Sequence, residues 1–231
     1  EENKTEGKKT KIEAYSEWDI INNNQPIWTK NEKDVTPDEY QKFYKLISKD
    51  WNDSAMVQHF NVEGTIQFHA LLFFPTKNSN NTFNQNLKKS NISLYVRRVL
   101  ITDKCNDLLP DWLSFVHGVV DSYDIPLNVS REMLQENKTI SVMRKHLVKK
   151  CITTLINLSE NEEEKYIDFY NEFHANIKLG VYKEPKMIEK LSYLLRFASY
   201  TSFSNHPEQR SVGFEKYVNN MKEGQDKIYY V

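Results

Sequence analysis

The chain has 231 residues and a mass of 27.4 kDa, and its 39% hydrophobic and 27% charged residues are typical of a globular protein. The formal net charge is −1, so no overall field attracts nucleic acid or an anionic membrane. Two cysteines without a CxxC motif and six scattered histidines argue against a disulfide framework or a zinc ribbon. The longest apolar run, residues 70–74, is too short to span a bilayer, and the charged first residues lack the apolar stretch of a signal peptide.

The amino-terminal part combines a linker with a strongly marked helix. Residues 1–16 are charged and predict a disordered linker. Thr36 is the predicted N-cap of the first helix, Pro37 occupies its first position and Glu39 completes a capping box. The apolar face of this helix repeats at helical spacing through Tyr40, Phe43, Tyr44 and Ile47.

Three strands are predicted next. "VQHFNVE" is short, whereas "TIQFHALLFF" is apolar on both sides near its end, which predicts a sheet covered on both faces. "ISLYVRRVLIT" alternates from Ile92 to Ile101 as a single strand and places Arg97 and Arg98 inside it. The Asn-rich stretch "NSNNTFNQN" predicts a long loop before this strand.

The second half of the chain is predicted to be mainly helical. "PDWLSFVHGVVDS" predicts a helix or helical turn, "SREMLQ" a short helix, and a long helix follows from about Thr139. "DKIYYV" predicts a buried strand, which suggests that the parent protein continues. The fold class is therefore α/β (α+β): a layered α-β-α sandwich over residues 17–160, then residues 161–231 as a helical connector and the start of a second, truncated α-β-α unit. The apolar positions of the predicted helices are Ile140, Met143, Leu147, Cys151, Leu155 and Leu158, then Tyr166, Phe169, Tyr170 and Phe173, then Ile188, Leu191, Leu194 and Leu195, and finally Phe214, Tyr217, Val218 and Met221.

The segment "DIPLNVSREMLQENK" carries the most informative polar residues. Arg131 stands at the start of a predicted helix, where a positive charge is unfavourable by about 0.3–1 kcal/mol unless an anion arrives there. Gln135 lies four residues later on the same helix face. An arginine that supplies charge and an amide that orients an oxygen suit assistance to phosphoryl transfer. The residues alone leave a solvated surface arginine as the alternative.

A basic run, "RKHLVKK" over residues 144–150, lies on the long predicted helix. It is typical of a solvated helix face opposite an apolar stripe. Docking of an acidic partner or of nucleic acid is the alternative that the pattern leaves open.

Several motifs resemble one known family. "LYVRRVLITD" and "LLPDWLSFVHGVVDSYDIPLNVSREMLQENK" closely resemble the middle domain of the 90-kilodalton heat-shock chaperone family, and the likeness runs over about residues 17–231. "QPIWTKN", "HFNVEGTIQFHALLFFP", "NIKLGV" and "QDKIYYV" follow in the family's order. The resemblance implies a dimeric ATP-dependent chaperone in which ATP, with Mg, is bound by an amino-terminal domain. It also implies that Arg131 reaches the γ-phosphate, that Gln135 supports it and that Asn128 shapes the loop.

The resemblance further implies partners and a compartment. It implies an amino-terminal ATPase domain, a carboxy-terminal dimerisation domain, client proteins and co-chaperones. Client contact is implied at Trp28 and at Phe83, where the Asn-rich loop departs from the family pattern. For Trp28 the residues alone leave a half-buried anchoring aromatic as the alternative. The chain by itself is expected to hold no cofactor and to contribute only part of an ATPase, and neither nucleic acid nor membrane insertion is expected. "DIPLNVSREMLQ" and "KEGQDKIYY" favour the endoplasmin type and the endoplasmic-reticulum lumen, whereas "LPDWLSFVHG" favours the cytoplasm. A non-catalytic protein-binding scaffold is the alternative function.

Overall fold

The elements of the fold are drawn from a computed structural model, which describes residues 25–78, 90–125, 138–198 and 211–229. Its strands are β1 (Ser54–Val62), β2 (Phe68–Pro75), β3 (Asn91–Val96), β4 (Val99–Thr102) and β5 (His117–Ser122). Its helices are α1 (Pro37–Ser48), α2 (Lys138–Asn161), α3 (Glu163–Lys183), α4 (Ile188–Tyr193) and α5 (Phe214–Asn219).

The strands form one mixed sheet in the order β1-β2-β5-β3-β4. β3 and β5 are parallel, and every other neighbouring pair is antiparallel. Helices cover both faces of the sheet, so alternate residues of β2 pack into two different cores. Phe68, Ala70, Leu72 and Phe74 pack with α2, α3 and α4, whereas Leu71 and Phe73 pack with α1. The predicted α-β-α sandwich is thereby confirmed.

α1 begins as its sequence predicts. The Thr36 hydroxyl accepts a hydrogen bond from the Glu39 backbone N–H at 3.3 Å, and the Glu39 carboxylate accepts one from the Thr36 N–H at 2.9 Å. These bonds hold the pKa of the Glu39 carboxyl below its usual value. The capping box fixes where α1 starts, and its apolar face then places Tyr44 in the core.

α2 and α3 continue the core of the sheet without a break at residue 160. The predicted apolar positions of both helices are buried, and they share one cluster with β2, β3 and β5. Nothing in this packing separates a unit that ends at residue 160 from the helices that follow. The division into residues 17–160 and 161–231 stays a prediction.

Two local predictions are wrong. In "PDWLSFVHGVVDS" only Asp111–Leu113 is helical, as a 3-10 turn, and β5 follows from His117. The strand is favoured because Val119 and Val120 are β-branched and because Gly118 lets the Leu71 carbonyl approach closely. Residues 226–229 of the predicted terminal strand form no regular element, and no described strand lies beside them to accept their hydrogen bonds.

Both cysteines lie inside the core. Cys105 is 3% exposed and Cys151 is fully buried, and neither forms a disulfide. Burial raises the pKa of both thiols, that of Cys151 to about 12.

Candidate functional site

The parallel strands β3 and β5 end at the same edge of the sheet, where Val96 pairs with Ser122. In open α/β sheets, ligands bind outside the carboxyl ends of the strands. At this edge β3 turns into β4, and β5 leads towards residues 126–137. Asn128, Arg131 and Gln135 belong to that segment and lie outside the described residues, as does Phe83.

The chain that leaves β5 is tied down before it reaches residue 126. The Tyr123 N–H donates to the Gln67 carbonyl at 3.2 Å, and the Asp124 carboxylate accepts a 2.5 Å bond from the Gln67 N–H. Ile125 is then 3% exposed. At the other end, Ile140 and Met143, in the first two turns of α2, are buried in the core. The points at which residues 126–137 join the domain are therefore fixed by backbone bonds and by burial.

Arg97 and Arg98 form the turn between β3 and β4, called the arginine turn below. The prediction that they lie within one strand is wrong, because their φ angles of 49° and 67° place both in the left-handed region. A two-residue hairpin with two positive φ angles normally uses Asn-Gly, and side chains with a Cβ cost about 1–2 kcal/mol each there. Both arginines are exposed, and no described acidic side chain forms an ion pair with them.

Asp121, near the end of β5, binds the arginine turn and Trp28 together. Its side chain is fully buried; Oδ1 accepts the Arg98 backbone N–H at 3.2 Å, and Oδ2 accepts the Trp28 indole N–H at 3.1 Å. Burial, followed by the charge of Asp121, raises the pKa of the Tyr95 phenol. Sequence reasoning did not select Asp121, although a polar residue directly after the buried pair Val119–Val120 is a usable signal.

Trp28 is mainly an anchor in this structure. It is 8% exposed, and its ring lies 4.8 Å from that of Tyr95 and 5.9 Å from that of Phe43, centroid to centroid. Its indole N–H is bound to Asp121, so little of the side chain is available to another protein. Client contact at Trp28 stays a prediction, and it would require either the exposed rim of the ring or a rearrangement.

His59 fixes the backbone of Trp28 from the other side. Its Nε2 lies 3.2 Å from the Trp28 carbonyl, and its Nδ1 lies 2.7 Å from the Tyr40 hydroxyl. Because a carbonyl only accepts, Nε2 carries the proton and Nδ1 accepts from the hydroxyl. Burial lowers the pKa of His59, which favours this neutral form. A chain of hydrogen bonds thus runs from α1 through β1 and Trp28 to the end of β5.

The basic run over residues 144–150 behaves as a helix face. Leu147 and Val148 are buried, Arg144 donates to the Asp107 carbonyl at 3.4 Å, and the Lys150 ammonium lies 5.3 Å from the centre of the Phe60 ring. Lys145 is exposed. Two of the cations therefore make contacts within the domain, and the run forms the partly exposed polar side of an amphipathic helix.

A cavity of about 530 Å³ lies between the end of α2, the start of α3, α4 and α5. Four glutamates line it against Arg196 and Lys216, and this charge does not suit a triphosphate. Within the described ranges, no group of three His, Cys, Asp or Glu side chains is placed to hold a metal ion. In the same part of the chain, no helix has the length and apolarity needed to cross a bilayer.

The fold and the site define an α/β sandwich domain that displays two arginines at the carboxyl ends of its parallel strands. The family model described as "Hsp90 protein" matches residues 1–231, and the chain belongs to the Hsp90 family. The resemblance stated from the motifs is confirmed at this level.

Three curated relatives show how far the likeness extends. Heat shock protein 83 of Leishmania donovani is 46% identical over 219 residues, which cover 95% of this chain and 47% of the relative. The endoplasmin homolog of Caenorhabditis elegans is 44% identical over 217 residues, covering 93% of this chain and 27% of the relative. Chaperone protein HtpG of Vibrio parahaemolyticus is 42% identical over 214 residues, covering 93% and 33%. The chain spans less than half of each relative, and these identities do not single out the endoplasmin type.

Proposed function

We propose that this chain is the middle domain of an ATP-dependent chaperone and that it completes an ATPase site held mainly by an upstream domain. The membership of the Hsp90 family carries the proposal, since relatives of the chain are named as heat-shock and chaperone proteins. The parent protein would be a homodimer that acts on client proteins with co-chaperones, in the endoplasmic-reticulum lumen or alternatively in the cytoplasm.

The proposed chemical contribution is a guanidinium. The arginine turn and the anchored residues Tyr123 and Asp124 lie at one edge of the sheet, and residues 126–137 follow them in the chain, which supports a role for Arg131 near that edge. An arginine placed beside a γ-phosphate stabilises the charge that develops during transfer, and such residues contribute about 10³–10⁵ in rate where they act as fingers. Gln135 would orient the attacking water or support the guanidinium, and Asn128 would shape the segment. ATP and Mg²⁺ would be bound by the upstream domain; ATP would supply the phosphoryl group and Mg²⁺ the positive charge that its oxygens need.

The test is steady-state ATP hydrolysis by the full-length protein. Arg131→Ala is expected to lower kcat at least tenfold with little change in the KM for ATP, because the nucleotide pocket lies on another domain. Lys145→Ala is the matched control, since it removes an exposed positive charge from α2 and is expected to leave kcat unchanged. Equal kcat values for Arg131→Ala and the wild type would remove Arg131 from the mechanism.

A non-catalytic binding scaffold is the second candidate function, and the exposed apolar side chains favour it. Trp51 is 94% exposed directly after α1, and Leu46 on α1 is 73% exposed. The Trp51 turn is ordered by bonds from Asn52 to the Asp50 carboxylate, so the indole is presented from a fixed turn. Trp51→Ala is expected to weaken client binding at least fivefold without changing the melting temperature, while Tyr182→Ala controls for a distant exposed ring. Unchanged client affinity in Trp51→Ala would exclude this surface.

A further inference from the structure

The arginine turn is held in an unfavourable backbone conformation by the end of β5 rather than by its own sequence. The Arg97 N–H donates to the Ser122 carbonyl at 3.0 Å, and the Arg97 side-chain Nε–H donates to the Tyr123 carbonyl at 3.4 Å. The Arg98 N–H donates to Asp121 Oδ1 at 3.2 Å. Strained residues persist where the surrounding structure over-determines them, and they cluster at functional sites.

The other oxygen of Asp121 is bound to a different part of the chain. Oδ2 accepts the indole N–H of Trp28, which lies in the 3-10 turn Ile27–Thr29 ahead of α1. One buried carboxylate therefore receives two N–H donors from segments that are far apart in sequence. A neutral or apolar side chain could fill this space, but only a group with two acceptors satisfies both donors.

We propose that Asp121 is a positioning residue for ATP hydrolysis: its carboxylate holds the arginine turn and Trp28 in a fixed relation at the edge from which the segment bearing Arg131 departs. This inference rests on the proposed function. Asp121 touches neither nucleotide nor client; it acts through the Arg98 backbone and through Ser122 and Tyr123, which continue directly from it. Because Asp121 binds both the Trp28 indole and the Arg98 N–H, a displacement of Trp28 would remove one of the two donors that hold this carboxylate.

Asp121→Asn is the first test, made in the full-length protein. The amide is nearly isosteric but accepts at one atom only, and its NH₂ group then faces one of the two N–H donors. We expect kcat for ATP hydrolysis to fall about tenfold at an unchanged KM, and hydrogen exchange at the Arg98 backbone N–H to accelerate by about the same factor. Asp103→Asn is the control, because it removes an exposed carboxyl at the far end of β4.

A rescue experiment separates positioning from a general loss of stability. Trp28→Phe removes the indole N–H, so in the double variant Trp28→Phe/Asp121→Asn the amide oxygen can accept from Arg98 while its NH₂ group no longer opposes a donor. The double variant is therefore expected to recover at least half of the lost exchange protection and of the lost kcat, relative to Asp121→Asn alone. A purely structural role predicts instead that the two losses add.

The outcomes are distinct for the two proposals. Unchanged kcat in Asp121→Asn, unchanged Arg98 exchange in the same variant, or losses that add in the double variant, would overturn the role of Asp121. Unchanged kcat in Arg131→Ala would overturn the proposed function instead. Asp121 would then keep its hold on the turn if the exchange at Arg98 still accelerates, and it would lose its role in hydrolysis.

Discussion

The indole N–H of Trp28 donates a 3.1 Å hydrogen bond to Asp121, 93 positions further along the chain. This bond joins the 3-10 turn ahead of α1 to the end of β5. The first described segment of the chain is therefore connected directly to the candidate site. It lies in the smaller of the two cores, with Tyr44, Leu71 and Phe73.

Trp28→Phe should destabilise the chain by more than packing alone explains. The variant leaves Asp121 Oδ2 buried without its donor, and an unsatisfied buried acceptor costs about 1–3 kcal/mol. Urea unfolding measures the loss. Trp112→Phe is the matched control, because the Trp112 indole N–H is buried without a partner among the described residues and its removal costs only packing. A smaller loss in Trp28→Phe than in Trp112→Phe would contradict the importance of the bond to Asp121.

Stability should decrease as the pH falls from about 6.5 to about 4. Burial lowers the pKa of His117 from 6.5 to about 4, with Asp50 opposing the shift, so the unfolded chain binds a proton that the folded chain excludes. The contribution is fully present above pH 6.5 and is lost progressively down to about pH 4, by about 3 kcal/mol at most.

His117→Gln should flatten this part of the curve of unfolding free energy against pH. His174→Gln, at an exposed position, should leave it unchanged. Parallel curves for the wild type and His117→Gln would mean that another group causes the loss.

Arg98→Gly should raise the melting temperature. Glycine adopts φ 67° without the clash of a Cβ, and the gain is about 1 kcal/mol after the greater entropy of the unfolded glycine is deducted. Arg98→Ala is the matched control, since it also removes the guanidinium but keeps the strained Cβ. Thermal unfolding of the two variants should therefore differ. Equal melting temperatures would show that the turn carries no backbone strain.

Gly118→Ala should disrupt the middle of the sheet. An added Cβ would lie 2.3 Å from the Leu71 carbonyl oxygen and 3.0 Å from a Leu72 methyl, so β2 and β5 would have to separate. Overpacking of this kind costs about 1–3 kcal/mol. At Gly213 the nearest atom to a Cβ is the flexible end of Arg196 at 3.1 Å, which makes Gly213→Ala the milder control. Circular dichroism during urea unfolding compares them, and equal midpoints would contradict the close approach.

Regular elements could be predicted from the sequence where the signal is local. The capping box of Thr36 and Glu39 depends on residues three positions apart, and it forms as predicted. The apolar residues on both sides of "TIQFHALLFF" correctly predict a strand that is buried on both faces of the sheet. The stripe from Ile140 to Leu158 likewise defines one side of α2.

The site could not be predicted in the same way, because distant residues create it. Nothing in "VRRV" favours a tight turn, and the arginines adopt positive φ angles because Asp121 and Ser122 accept their N–H groups from another strand. The partnership of Trp28 with Asp121 and His59 requires three segments to meet. The strand in "PDWLSFVHGVVDS" differs from the predicted helix or helical turn because a short apolar run does not distinguish a buried strand from a helix.

Because Cys105 and Cys151 are buried, the domain is expected to be insensitive to the redox potential of its compartment. Neither thiol reaches the surface, and their raised pKa values keep them protonated, so they offer no thiolate to oxidants or to exchange with other disulfides. The same chain can therefore keep one covalent state in an oxidising lumen and in a reducing cytosol.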